Sequence, residues 1–208
     1  MTGFAGWFES HLTVAPGGDD ERLLALVERH GAKFTRIVLD RGGSPDQPMV
    51  TVRGRGTLAD QRALTAQWTR RLSVAGFPVR RAKTEAAPGN DGVPQTADLP
   101  PGSYFEHHVK LVFADLAGVA AVRAIGDRHA AHVSRNARRV FAGGRHERFV
   151  TQRCHDAGQP EARRRRSTRP GATNTGRSAP RETAACGSRC RGAAVLDRLA
   201  SALRRLVA

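Results

Sequence analysis

The chain repeats itself, and the repeat limits the folds open to it. Trp7-Phe8-Glu9-Ser10-His11 returns as Tyr104-Phe105-Glu106-His107-His108. His30 returns as His129, and Lys33-Phe34-Thr35-Arg36 as His132-Val133-Ser134-Arg135. Pro48-Met49-Val50-Thr51-Val52-Arg53 returns as Arg148-Phe149-Val150-Thr151-Gln152-Arg153. The offsets are 97, 99 and 100 residues, drifting only where loops lengthen. Several matches in the same order point to duplication of one structural unit.

The first copy reads as β-α-β-β-α-β. Residues 7–14 alternate and read as a strand. Asp19 and Asp20 can cap a helix with Leu23, Leu24, Leu26 and Val27 on its apolar face, stopped by His30-Gly31. Strands follow at 33–40 and 48–53, separated by the turn-rich Arg41–Asp46. Thr57 starts a second helix with Leu58, Leu64, Trp68 and Leu72 at helical spacing, Gly76 ends it, and Phe77–Lys83 is a fourth strand. This order is the ferredoxin-like pattern. The expected organisation is a first ferredoxin-like repeat over 5–86, a Pro/Gly-rich linker over 87–103 and a second, incomplete repeat over 104–160. A disordered basic segment over 161–192 and an amphipathic helix over 193–208 complete an α+β chain.

The second copy stops in mid-domain. Residues 163–192 contain no Phe, Tyr, Trp, Ile, Leu, Val or Met, so they offer no face to a core. Their Arg, Ala, Gly, Pro, Ser and Thr are what out-of-frame translation of a GC-rich gene yields. Residues 193–207 place Val195, Leu196, Leu199, Leu203 and Leu206 on one side of a helix. That helix suits the empty slot of the second copy. No strand is expected after it, so the strand at 104–113 should keep an open edge that favours self-association.

Charge divides the same way. Of the formal +15, residues 163–208 supply +10, from twelve arginines against Glu182 and Asp197. Any nucleic-acid binding is therefore expected from the tail alone. No apolar run spans a membrane and no leader is recognisable at Met1–Ser10, so the expected compartment is the cytoplasm. Three cysteines make no disulfide framework. Cys186-x-x-x-Cys190 lacks partner ligands, so neither a zinc site nor a cofactor is expected.

The strings Tyr104–Leu111, Ser134–Arg139 and Arg145–Arg153 resemble a family of uncharacterised bacterial proteins, mostly from high-GC genomes. So do those around His11, Phe34–Arg41 and Asn90–Thr96. The resemblance covers roughly residues 7–162. It implies the architecture and a further helix and strand that this chain lacks; it transfers no mechanism.

Two chemistries emerge. His11 and His108 are equivalent, and paired histidines from two repeats can serve as general base and general acid in a two-histidine phosphoesterase. His11-Leu12-Thr13 fits that superfamily's His-x-Thr pattern; His108-Val109-Lys110 does not. Structural histidines repeated with the domain are the plainer account. Glu9 and Glu106 share a face with them, a metal-binding pattern that surface ion pairs explain more simply. Arg36, Arg53, Arg135 and Arg153 crowd the strands, with Lys110 nearby, and arginine holds phosphates and carboxylates bidentately. The expected function is binding of an anionic small molecule at these residues, with hydrolysis at His11 and His108 as the alternative.

Overall fold

A computed structural model describes residues 3–94, 99, 102–154, 185–186 and 193–207. The chain is α+β. Its strands are β1 (Ala5–Val14), β2 (Lys33–Leu39), β3 (Asp46–Thr57), β4 (Val79–Ala86), β5 (Tyr104–Phe113), β6 (His132–Asn136), β7 (His146–Cys154) and β8 (Ala185–Cys186). Its helices are α1 (Asp20–Arg29), α2 (Leu58–Val74), α3 (Leu116–Arg128) and α4 (Ala193–Val207). None is long and apolar enough to cross a membrane.

Local signals set the helix ends. The Asp19 carboxylate accepts the Glu21 and Arg22 N–H groups, and Asp115 does the same for Gly118. Thr57 and Asp60 form a reciprocal capping box at α2. β3 runs past the expected strand end at Arg53, and Arg53–Gly56 pair with Gly6–Glu9 of β1. β4 likewise runs on through Glu85 and Ala86, which matters for the site below.

All eight strands form one sheet, in the order β4-β1-β3-β2-β6-β7-β5-β8. Every pairing from β4 to β5 is antiparallel. The two halves share their internal register. His11 faces Thr51 and Glu9 faces Arg53; His108 faces Thr151 and Glu106 faces Arg153. Lys33 faces Thr51 as His132 faces Thr151. The halves join where β2 meets β6, with Ile37 opposite its own equivalent Asn136. Val38 lies opposite Arg135, and the mirrored bond runs from the Ala137 N–H to the Arg36 carbonyl at 2.7 Å. A local twofold axis therefore passes between Ile37 and Asn136.

Each half has its own core on the helix-bearing face. Leu12, Val50, Leu23, Val27, Trp68 and Leu72 fill the first. Val119, Val122, Ile125, Val133, Val150, Leu199 and Leu203 fill the second. Here α4 contributes Leu199 and Leu203 to the core, packed with α3; the Val195 and Leu196 side chains lie outside the described set. A third core brings Phe8 and Ala86 against Phe105.

That third core shows how the sheet closes. Strands β4 and β5 stand near opposite ends of the strand order, yet they meet in space. Lys83 bonds Glu106 on the helix-free face, and Ala86 packs with Phe105 on the other. The sheet thus curls into a ring with its helix-free face inward. This buries Thr35, Thr51, Ser134 and Thr151 although no helix covers them. The expected open edge of β5 is partly corrected: Ala185 and Cys186 pair in parallel with Tyr104 and Phe105. Apart from that pair, the segment expected to be disordered, 161–192, lies outside the described residues, as does the tail's basic run.

Candidate functional site

Strand alternation selects what faces the inside of the ring. Along β1 the even positions Phe8, Ser10 and Leu12 are buried toward helices, leaving Trp7, Glu9 and His11 inward. The pairing registers add Thr51 and Arg53 from β3, Lys83 and Glu85 from β4, Glu106 and His108 from β5, and Thr151 and Arg153 from β7. These residues converge where β4 meets β5.

The twofold relation is visible in the hydrogen bonds. His11 Nδ1 and Thr51 Oγ1 are 2.9 Å apart; His108 Nδ1 and Thr151 Oγ1 are also 2.9 Å apart. Arg53 Nε donates to Glu9 at 2.6 Å, and Arg153 Nε to Glu106 at 3.4 Å. Between these two sets sits β4, and no other described strand repeats its role. Lys83 Nζ pairs with Glu106 at 2.7 Å and also with Glu85. Glu85 reaches His11 Nε2 at 3.3 Å.

Electrostatics follow from this packing. Burial alone would lower the Lys83 ammonium pKa, but Glu85 and Glu106 outweigh it and hold it raised. Burial would raise Glu85, yet His11 and Lys83 hold it well below the usual carboxylate range. Glu106 is lowered in the same way by Lys83 and Arg153 against its burial. Both carboxylates therefore stay ionised and cannot work as an acid–base pair of carboxyls. Burial lowers His108, with Glu106 and Glu85 only partly opposing, so its imidazole is neutral near pH 7. Donor atoms of Glu85, Glu106 and His108 lie within 4.8 Å of one another, a spacing that suits a metal ion. The Lys83 ammonium already takes the cation's place between the two carboxylates.

A cleft of about 510 Å³ opens beside this cluster, lined by Trp7, Phe8, Glu9, Arg53, Glu85, Ala86, Ala87, Pro88 and Glu106. The Asn90 side chain clamps the Trp7 backbone by accepting from its N–H and donating to its carbonyl, both at 2.7 Å. Gly6 has φ +140°, and a Cβ there would sit 2.2 Å from Asn90 Oδ1, so only glycine lets this clamp close. Trp7 is 58% exposed and Arg55 lies over its ring at 5.7 Å.

The expected residues are thus brought together only in part. His11, His108, Arg53 and Arg153 converge. Arg36 does not, because it alternates with inward residues of β2 and points to the helix side. There its Nε and Nη2 hold Asp46 at 2.9 and 2.6 Å and its Nη1 holds Asp20 at 2.7 Å. Arg135 shares that parity, opposite Val38. Lys110 pairs with Glu147 at 2.7 Å. A single site of four arginines is therefore not assembled. Sequence reasoning missed Thr51 and Thr151, although their equal placement in the repeat was a usable signal. It also missed Lys83 and Glu85, whose strand has no repeated partner to flag them.

Comparison with protein families, with curated proteins and with solved structures found no match to this chain.

Proposed function

We propose that the protein binds a small organic anion in the cleft where the two halves meet, on a scaffold made by duplicating a ferredoxin-like unit. The duplication is supported by the common register of the halves and by the strand order reading 4-1-3-2 outward from one end. The binding reading rests on one observation above all. Arg53 lines the cleft mouth with its side chain 70% exposed, and its only hydrogen bond among the described residues uses Nε. Its terminal nitrogens remain for a carboxylate or phosphate. Trp7, Ala87 and Pro88 supply an apolar wall for the body of such a ligand.

Benzoate is a suitable probe, read by Trp7 fluorescence in the full chain. The expected result is a saturable change that Arg53→Ala removes and that falls as salt rises. A response unchanged in Arg53→Ala would overturn the reading.

A second reading is favoured by the convergence of the histidines. Glu85 stands 3.3 Å from His11 Nε2, while burial holds His108 below the ordinary imidazole value, so the two rings sit in the different surroundings an acid and a base require. Hydrolysis of bis(p-nitrophenyl) phosphate separates the two. Turnover lost in both His11→Ala and His108→Ala, with thermal unfolding unchanged, would make the site hydrolytic; absence of turnover in the parent chain leaves binding alone.

A further inference from the structure

A second cleft, away from the junction, has the chemistry of an anion site. It measures about 400 Å³ and lies between the start of α3, the end of β6 and the turn into β7. Arg135, Arg139, Arg145 and Arg148 line it, with Leu116, Val140 and Phe141 forming an apolar part. Glu147 also lines it, but Lys110 and Arg139 already neutralise that carboxylate, at 2.7 and 3.3 Å.

The other half of the molecule shows what belongs here. Arg36, the twofold mate of Arg135, is fully occupied by two carboxylates. Asp20 comes from the first residue of α1 and Asp46 from the start of β3. Counted from the N-caps Asp19 and Asp115, and from the starts of β3 and β7, the second half has Leu116, the first residue of α3, and His146, the first of β7, in those places. Both line the cleft. The second half therefore has the arginine without either carboxylate.

The second half also carries a positive charge that the first does not. Continuing the Ser134↔Phe149 register by one step sets Arg135 opposite Arg148, where the first half has Arg36 opposite Pro48. Like charges directly opposed across strands destabilise a sheet. Arg148 is also only 7% exposed. Its Nη1 donates to the Glu147 carbonyl at 2.7 Å, while its Nε has no partner. Burial lowers the Arg148 pKa. Asp40 opposes this, but Arg123 already holds Asp40 at 2.6 and 3.2 Å, and Arg123 and Arg135 push the pKa down further. A buried guanidinium with no carboxylate of its own is costly unless something pairs it.

We propose that this cleft binds a phosphate monoester, its phosphate standing against Arg135 and Arg148 where Asp20 and Asp46 stand against Arg36. A monoester dianion carries about the charge of the two missing carboxylates. The N-terminal end of α3 adds its dipole. Leu116 and Val140, which is 90% exposed, offer an apolar rim for the esterified group. This site is independent of the junction cleft and uses none of its residues.

Calorimetric titration of the full chain with inorganic phosphate and with phenyl phosphate tests it. Both should bind saturably, phenyl phosphate more tightly because of the rim. The decisive variant rebuilds the first half's carboxylates: Leu116→Asp combined with His146→Asp should weaken phenyl phosphate binding at least about tenfold. Its thermal midpoint should match or exceed the parent's, since Arg135 is then paired. Arg148→Gln should weaken binding too. No saturable binding by the parent, or equal binding by the rebuilt variant, would overturn the proposal. Loss of phenyl phosphate binding in Arg53→Ala alone would move the phosphate to the junction and overturn it equally.

Discussion

The first half of the molecule is finished in a way the second is not. Beneath β1, Ser10 is buried among partners. Thr65 and Thr84 lie at 2.7 and 3.0 Å, and Gln61 donates at 2.8 Å, two of these three residues coming from α2. The equivalent of Ser10 is His107, on the face where α4 presents leucines, and its Nε2 is buried with no partner. Gln152 Oε1, His132 Nδ1, Arg148 Nε and both Glu147 carboxylate oxygens are further buried atoms of the second half without a hydrogen bond, against Gln61 Oε1 and Glu85 Oε1 in the first. The second half has the apolar side chains of a core, but not the polar partners that α2, Asp20 and Asp46 supply in the first. A fold tolerates losing the helix that completes it if another apolar stripe arrives, because hydrophobic burial is non-directional. Hydrogen bonds have no such latitude.

The largest expected effect tests whether the halves depend on each other. Lys83 belongs to the first half and Glu106 to the second, and both are buried. Lys83→Met should cost about 3 kcal/mol, because it strands Glu85 and Glu106 without their cation. Chemical denaturation measures this; a loss under about 1 kcal/mol would mean the carboxylates were never dependent on Lys83.

The next effect should separate the halves by pH. His107, His108 and His132, all in the second half, are held below the ordinary imidazole value, chiefly by burial. A folded pKa below the unfolded one means the unfolded chain takes the proton first. The stability these neutral rings contribute is complete above the unfolded value and is lost as pH falls through it and on through the folded values. Between about pH 7.5 and 5.5, amide exchange in β5, β6 and β7 should therefore accelerate before that in β1, β3 and β4. Simultaneous loss would contradict the comparison.

The smallest effect concerns one backbone position. Helices α1 and α3 end alike, with His30 and His129 as caps followed by residues at positive φ. Gly31 has φ +70°, but its equivalent Ala130 has φ +52° and a Cβ. Ala130→Gly should raise stability by about 1 kcal/mol and Gly31→Ala should lower it by a similar amount. Thermal midpoints of the two variants should move in opposite directions.

Much of this was legible in the chain itself. The element order of the first half, the caps at Asp19 and Thr57, and the packing stripe of Leu199 and Leu203 all follow from local periodicity and capping chemistry. His11 and His108 also hold the matching strand positions the sequence suggests, opposite Thr51 and Thr151. The pairing of β2 with β6 was not legible, since nothing local to Ile37 or Asn136 marks an inter-repeat partner. That pairing brings the far ends of the sheet together and places Lys83 and Glu85 between the two histidines. The division of the arginines was hidden for a related reason. Arg36 and Arg53 look alike in a strand reading, but alternation along β2 and β3 sends one to the helix side and the other inward.

The central claim is that the sheet closes on itself, bringing the two halves to one site. A double-mutant cycle between Lys83→Met and Glu106→Gln tests it most directly. The structure predicts a coupling of about 1–3 kcal/mol, the double variant losing far less than the two single losses together. Additive losses would show that Lys83 and Glu106 do not touch, and that the ring and the site within it do not form.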